Sequence, residues 1–266
     1  MSIPTQVITL ILALPMILVS TFAPARANEL ELVLPGHLTV ATEGTYPPYS
    51  LQNENGELDG IDVRLMREIA NRLGLEYKPV LLKFDSLLVG LEAGQFDVIG
   101  SPLDITAERK QRVTFSDGWI ESGARLIVRQ DSSVQSPTEI AGKIIGVLAA
   151  STWGDMATPL NPAELKTYKS ETDAFQDLVN GNIDAIVTDG ISASFNIKQS
   201  NLPLRLVDTP LSSLQKAWSI KKGKPHLVRA INKAIADIVA DGTYVKLTSD
   251  FVDFDAAPKE PIRSEF

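Results

Sequence analysis

Leu91-Glu-Ala-Gly94-Gln-Phe-Asp97-Val-Ile99 is echoed later in the chain by Leu178-Val-Asn-Gly181-Asn-Ile-Asp184-Ala-Ile186. Each stretch reads as the last turn of a helix closed by glycine, then x-x-Asp, then an apolar run of strand character. Such a junction occurs in any α/β chain, so one copy would say little; two copies suggest two lobes of related βα design. Ahead of the first copy, Leu38–Thr42 reads as a strand. Asp62–Leu73 reads as an amphipathic helix with Leu65, Ile69 and Leu73 on one face and Gly74 beyond it. Val80–Lys83 is expected as a strand, and Asp85 as the N-cap of a helix running to Ala93. Ahead of the second copy come a strand over Lys143–Leu148, a helix from about Ser151 and a strand over Leu165–Tyr168; Thr172–Asn180 is the helix that enters the copy. A long amphipathic helix is predicted over Pro225–Ala240, and the polar stretch after Phe254 is expected to fray.

Composition narrows the function classes. The 266 residues include 25 Lys+Arg against 33 Asp+Glu, for a formal net charge of −8, with no cysteine and two histidines, His37 and His226. Without cysteine there are no disulfides, thiolate nucleophiles or Cys-based metal sites. Two histidines leave no His-based metal cluster in view, and both are expected on the surface without a role. The acidic balance argues against nucleic acid as the main partner, because that binding rests on cationic contacts to phosphate. The length suits two lobes better than one core.

The amino-terminal run Val7–Ser20 is uncharged and mostly apolar, and Ala25-Arg-Ala27 precedes Asn28 as an A-x-A-like cleavage site. The run is shorter than the roughly 20 residues a membrane helix needs, and Pro15 interrupts it. We read residues 1–27 as a cleaved secretory signal, although the usual basic start is missing. The absence of cysteine also excludes a lipid anchor through that residue.

In open α/β sheets, ligands bind beyond the carboxyl ends of the strands. Glu43, Thr45 and Tyr46 follow the first strand, and Ser101, Asp104 and Thr106-Ala-Glu-Arg109 follow Val98-Ile99. Ser151, Thr152 and Trp153 follow Val147-Leu148, and Asp189 follows Ile186-Val187. This set combines one guanidinium, several carboxylates, hydroxyls and aromatic rings.

Nine segments then run in order along the chain: Glu43-Gly-Thr-Tyr-Pro-Pro-Tyr49, Gly60-Ile-Asp62-Val, Phe84-Asp85, Asp97-Val-Ile, Ile105-Thr106-Ala-Glu-Arg109-Lys, Phe115-Ser116-Asp117, Gly142-Lys-Ile-Ile-Gly146-Val, Asp184-Ala-Ile-Val-Thr-Asp189 and Asp241-Gly-Thr-Tyr244. Together they resemble the extracellular solute-binding proteins of family 3, the receptors of ABC importers for polar amino acids. The resemblance implies an α/β fold of the type II periplasmic-binding-protein kind, each lobe a mixed sheet flanked by helices, with a two-strand hinge. It implies a discontinuous lobe one over residues 28–124 and 214–254, lobe two over 125–213, and a polar tail over 255–266. It also implies a monomeric, periplasmic receptor without cofactor, metal or catalytic residue, which delivers a small amino-acid-like ligand to an ABC-type membrane permease. A cyclohexadienyl-dehydratase-like enzyme on the same fold, or a sensory or accessory exported protein, is the alternative.

By the same resemblance, Arg109 grips the ligand carboxylate with its planar fork. The backbone N–H of Thr152 completes that grip, Asp189 and Ser101 accept the ligand ammonium, and Tyr46 and Phe84 form aromatic walls. Glu43 stands where receptors for cationic side chains place an acid. Two residues depart from the pattern. Asp104 replaces a hydroxyl residue beside the carboxylate pocket, so that it shares Arg109 with the ligand, meets a ligand cation, or turns away to cap the Arg109 helix. Trp153 replaces a small or polar residue and either covers the ligand as a cation–π face or packs in lobe two. With Glu43, Asp104 and Asp189 in one cleft, the expected ligand leans cationic. Asp85, Asp97 and Asp184 are read as structural. Trp218 is read as core, and Trp119 is given no role.

Overall fold

The computed structural model describes residues 30–265, so the signal sequence expected over residues 1–27 lies outside the described residues. Strand β1 (His37–Thr42) leads through the short strands β2 (Leu51–Gln52) and β3 (Leu58–Asp59) into helix α1 (Ile61–Arg72). Strand β4 (Glu76–Leu81), helix α2 (Phe84–Glu92), strand β5 (Val98–Asp104) and helix α3 (Ala107–Arg112) follow. Strands β6 (Val113–Phe115) and β7 (Ile120–Ser122) bring the chain to its first crossing. Beyond it lie β8 (Ala124–Arg129), β9 (Ile144–Leu148), α4 (Trp153–Ala157), β10 (Glu164–Tyr168), α5 (Glu171–Val179), β11 (Ala185–Asp189), α6 (Gly190–Gln199) and β12 (Leu204–Leu206). The chain returns through β13 (Leu214–Lys221) and ends its regular structure with α7 (Pro225–Ala240) and α8 (Thr243–Thr248).

Two mixed sheets result. One has the order β4-β1-β5-β13-β6, with β7 also on β13; the other has the order β10-β9-β11-β8-β12. The triplets β4-β1-β5 and β10-β9-β11 are both parallel and share one topology. The repeated motif explains why. Gly94 and Gly181 both sit at positive φ, which glycine adopts without steric cost and which turns the chain sharply off the helix. Three residues on, Asp97 accepts from the Thr39 N–H at 3.1 Å at the start of β1, and Asp184 accepts from the Ile144 N–H at 2.9 Å at the start of β9. In each lobe the aspartate thus satisfies a donor in the first half of the neighbouring parallel strand, the third residue of β1 and the first of β9.

The amphipathic helices lie as their patterns require. Helix α1 buries Ile61, Leu65, Met66 and Ile69, and α7 buries Leu227, Val228, Ile231 and Ile235, all in the largest core cluster. Trp119 and Trp218 are fully buried there and stack at 4.6 Å, with Trp218 Nε1 donating to Asp62 at 3.1 Å. His37 faces Glu76 on the surface at 3.2 Å, and His226 lies in the first turn of α7.

Three local expectations differ from the structure. Lys83 holds the N-cap position of helix α2 without a side-chain capping bond, and Asp85 is an exposed first-turn acid that favours the positive end of the helix. Strand β4 begins at Glu76, earlier than its apolar run, because pairing along the whole of β1 recruits the polar residues before it. The tail after Phe254 does not fray. Its backbone bonds to lobe one at Glu121, Gln215 and Gly118, Ala256 is buried, and Arg263 pairs with Asp117 at 2.6 Å.

The chain passes between the sheets twice, at 122–124 and 212–214, and the two passages touch. A Cβ on Gly123 would lie 1.8 Å from the Ser212 carbonyl oxygen, so only glycine allows this approach.

Candidate functional site

The carboxyl ends of β1, β5, β9, β10 and β11 converge between the lobes. A cavity of about 350 Å³ opens there, lined by Phe84, Thr106 and Arg109 from one lobe and by Ser151, Thr152 and Asp155 from the other. Arg109 is held by α3, whose N-cap Thr106 accepts from the Arg109 N–H at 3.2 Å. The guanidinium is buried, donates to the Asp104 main-chain carbonyl at 3.3 Å and stands 6.0 Å from the Phe84 ring. Among the described residues it makes no ion pair. Burial lowers its pKa, with Asp104, Glu108 and Asp155 opposing. A buried cation without a counter-ion, facing a cavity, is poised for an anion.

Of the three courses open to Asp104 in the sequence, the structure overturns capping of the Arg109 helix. Thr106, not Asp104, caps α3, and the carboxylate of Asp104 turns from Arg109 toward Lys216, whose Nζ lies 2.6 Å away. Thr152 Oγ1 donates to its second oxygen from the other lobe. Lys216 and Asp104 are cross-strand partners on β13 and β5, so sheet register places this pair. Burial pushes Asp104 up, but Lys216 and Thr152 outweigh it and hold its carboxyl below the usual range. Burial also works against the Lys216 charge, and Asp189 and Asp104 overcome it, raising the ammonium above its ordinary pKa.

Asp189 ends β11 and caps α6, accepting from the Ile191 and Ser192 N–H groups at 3.0 and 3.1 Å. Tyr49 of lobe one donates to the same oxygen at 2.8 Å. The other oxygen, Oδ2, has no hydrogen-bond partner among the described residues and faces Lys216 Nζ at 3.3 Å. Trp153 packs in the lobe-two core, the second of its two expected courses, and its ring covers a cation of the protein itself at 4.7 Å. That cation is Lys216.

Glu43 follows β1, and Ser101 lies within β5. Ser101 Oγ lies 3.5 Å from Thr42 Oγ1, and its hydroxyl bears on the Glu43 carboxylate. Glu43 is buried, and its Oε2 has no hydrogen-bond partner among the described residues. Burial, with the Glu171 carboxylate nearby, pushes its pKa up to about 8. Glu171 opens α5 in the other lobe and is raised to about 7 by burial, against the donors Thr188 and Ser192. Tyr46 is buried against Tyr49, with ring centroids 5.0 Å apart, and the half-buried Phe84 packs on the cores of both lobes. Ser192 Oγ reaches the Pro47 carbonyl at 2.7 Å, a further contact across the cleft.

The family model for bacterial extracellular solute-binding proteins, family 3, matches residues 38–254. The chain belongs to that family. It is 30% identical over 223 residues to the L-cystine-binding protein TcyJ of Escherichia coli (strain K12), covering 83% of this chain and 84% of the relative. It is 31% identical over 255 residues to the histidine-binding periplasmic protein of the same organism, covering 92% and 97% of the two chains. Among solved structures, an ancestral arginine-binding protein bound to glutamine superposes with a TM-score of 0.78 at 33% identity, over 83% of this chain and all of the other. The fold is that of the type II periplasmic binding proteins. The nine ordered segments thus led to the right family.

Two residues of this family-3 cleft escaped the sequence reading. Glu171 follows β10 as Phe84 follows β4, and would have been found by extending the strand-end rule to that strand. Lys216 lies near the amino end of β13, which is antiparallel to β5 and brings its start, not its end, to the cleft. A rule built on carboxyl ends passes over it. Among the described residues, no group of three or more His, Cys, Asp or Glu side chains is arranged to hold a metal ion. No helix of the described residues is long and apolar enough to cross a membrane.

Proposed function

We propose that this chain is a periplasmic receptor that closes on a polar amino acid or amino-acid-like solute of cationic character and presents it to an ABC-type permease. The single observation that carries the reading is Arg109, a buried guanidinium that makes no ion pair among the described residues, on the wall of a cavity between the lobes. Its geometry suits a carboxylate held by paired, charge-assisted hydrogen bonds. The cationic character follows from the remaining charges. Glu43, Asp104, Glu171 and Asp189 provide four buried carboxyls against Lys216 and Arg109. Asp104 is already matched by Lys216. Glu43 and Glu171 share no internal cation at ion-pair distance among the described residues, and their raised pKa values measure the cost of leaving them so.

The passages at 122–124 and 212–214 are proposed as the hinge, with the solute favouring closure through contacts to both lobes. In this reading the receptor is an exported monomer that uses no cofactor. Isothermal titration calorimetry against arginine, lysine, ornithine, glutamate and leucine tests it. Binding of one or more basic members is expected; binding confined to glutamate or leucine would overturn the charge assignment. One observation favours a second reading: carboxyls with pKa near neutrality, such as Glu43 and Glu171, are suited to general acid catalysis. Recovery of the solute chemically unchanged after prolonged incubation supports the receptor; conversion supports the enzyme.

A further inference from the structure

The ammonium of Lys216 already has a complete set of partners. It bonds to Asp104 at 2.6 Å, faces Asp189 at 3.3 Å and lies 4.7 Å from the centre of the Trp153 ring. The side chain is 1% exposed. Because Lys216 and Asp104 are direct partners in the register of β13 on β5, the pair belongs to lobe one itself and needs no closure to form. Asp189 and Trp153 come from lobe two, at the start of α6 and in α4. Closing the cleft therefore brings an acid and an aromatic face onto a cation that the protein carries with it.

A solute held through its carboxylate by Arg109 would direct an ammonium beside that carboxylate toward a free acid. Asp189 Oδ2 is a buried oxygen without a hydrogen-bond partner among the described residues, and Lys216 stands 3.3 Å in front of it. A second ammonium there would meet a like charge in a buried site, where repulsion is poorly screened. A solute without that ammonium meets no such opposition, and Lys216 supplies the counter-charge to Asp189 in its place. The two buried acids without a cation at ion-pair distance among the described residues, Glu43 and Glu171, still call for a cation at the solute's other end.

Resting on the receptor reading above, we propose that Lys216 selects against a free α-ammonium: the preferred solute has a carboxylate and a distal cation, but no ammonium next to the carboxylate. Guanidino and amino acids with the nitrogen only at the far end are that class.

Calorimetry with arginine and desaminoarginine, which differ only in the α-amino group, tests this on the purified chain. Desaminoarginine is expected to bind at least as tightly as arginine to the wild type. In Lys216→Met the affinity ratio should shift at least tenfold toward arginine, because the resident cation is gone and two acids await an ammonium. Lys216→Arg should keep the wild-type order. Lys216→Met leaves buried acids unmatched and can impair folding; the double variant Lys216→Met/Asp104→Asn removes one of them and should show the same shift. Tighter binding of arginine by the wild type, or a shift below tenfold in both Met variants, overturns the proposal. If the wild type binds a neutral amino acid and neither guanidino compound, the distal-cation reading fails. That amino acid and its desamino counterpart then decide the role of Lys216 in the same way. Failure to bind any such pair overturns both readings.

Discussion

The two lobes are built on the same device and finished differently. In each, a glycine-closed helix leads through x-x-Asp to a central parallel strand, and the aspartate holds an N–H in the first half of the neighbouring strand. Those central strands, β5 and β11, also both end on an aspartate, Asp104 and Asp189, and the two acids face one ammonium. Beyond that point the likeness stops. Lobe one contributes both buried cations, Arg109 and Lys216, whereas lobe two contributes hydroxyls, an indole and acids. What repeats is at the strand starts and serves the fold. What differs is at the cleft, where we propose that the solute binds.

The first way to break this comparison is to remove the two strand-start acids in turn. Asp97 is fully buried and also accepts from the Thr39 hydroxyl, the Val33 N–H and Lys224, while Asp184 is half-buried and holds the Ile144 N–H. Asp97→Ala is expected to cost about 3–5 kcal/mol, as for a broken buried charge network. Asp184→Ala should cost about 1 kcal/mol, the worth of an ordinary hydrogen bond. Urea unfolding measures both, and equal losses would mean that the two devices bear equal weight.

At the rim the asymmetry should appear in binding. Arg109→Ala is expected to weaken basic solutes by roughly a hundredfold, since it removes a buried charge-assisted contact. Thr152→Ala, which removes one hydroxyl bond to Asp104, should weaken them by less than about tenfold. Calorimetry on both variants checks the order.

A third contrast separates the lobes through pH. Glu43 and Glu171 come from opposite lobes, and both are raised, to about 8 and about 7. A carboxyl with a raised folded-state pKa binds protons that the unfolded chain has released, so its stabilising contribution is complete below the unfolded value and is lost as pH rises through the folded one. The ligand-free chain should therefore lose on the order of 6 kcal/mol between about pH 5 and pH 8, the larger part from Glu43, with Glu43→Gln and Glu171→Gln each flattening the profile. Thermal melts across that range provide the check.

Much of this architecture was legible in the sequence, because it is written in local signals. Periodicity identified α1 and α7, the doubled Gly-x-x-Asp motif marked the equivalent strands, and the Thr106–Arg109 frame located the unpaired guanidinium. The illegible parts depend on partners distant in sequence. Asp104 was visible as an oddity, but its meaning lies in Lys216, which only the β5–β13 pairing brings beside it. The net acidity of the cleft was anticipated from Glu43, Asp104 and Asp189. In the structure Lys216 faces two of these acids, and Glu171 joins Glu43 as the second carboxyl left without a cation. The tail looked free because its residues are polar, yet its order comes from main-chain bonds that composition does not record.

The claim on which the account rests is that a solute cation meets Glu43 and Glu171 between the lobes. Titrating arginine and desaminoarginine at pH 7.5, in buffers of different ionisation enthalpy, reads this directly as proton exchange. At that pH the two carboxyls together hold on the order of one proton, and a bound cation should expel most of it. Proton release on binding, reduced in Glu43→Gln, is the predicted result; binding with no proton exchange, or with proton uptake, would contradict the account.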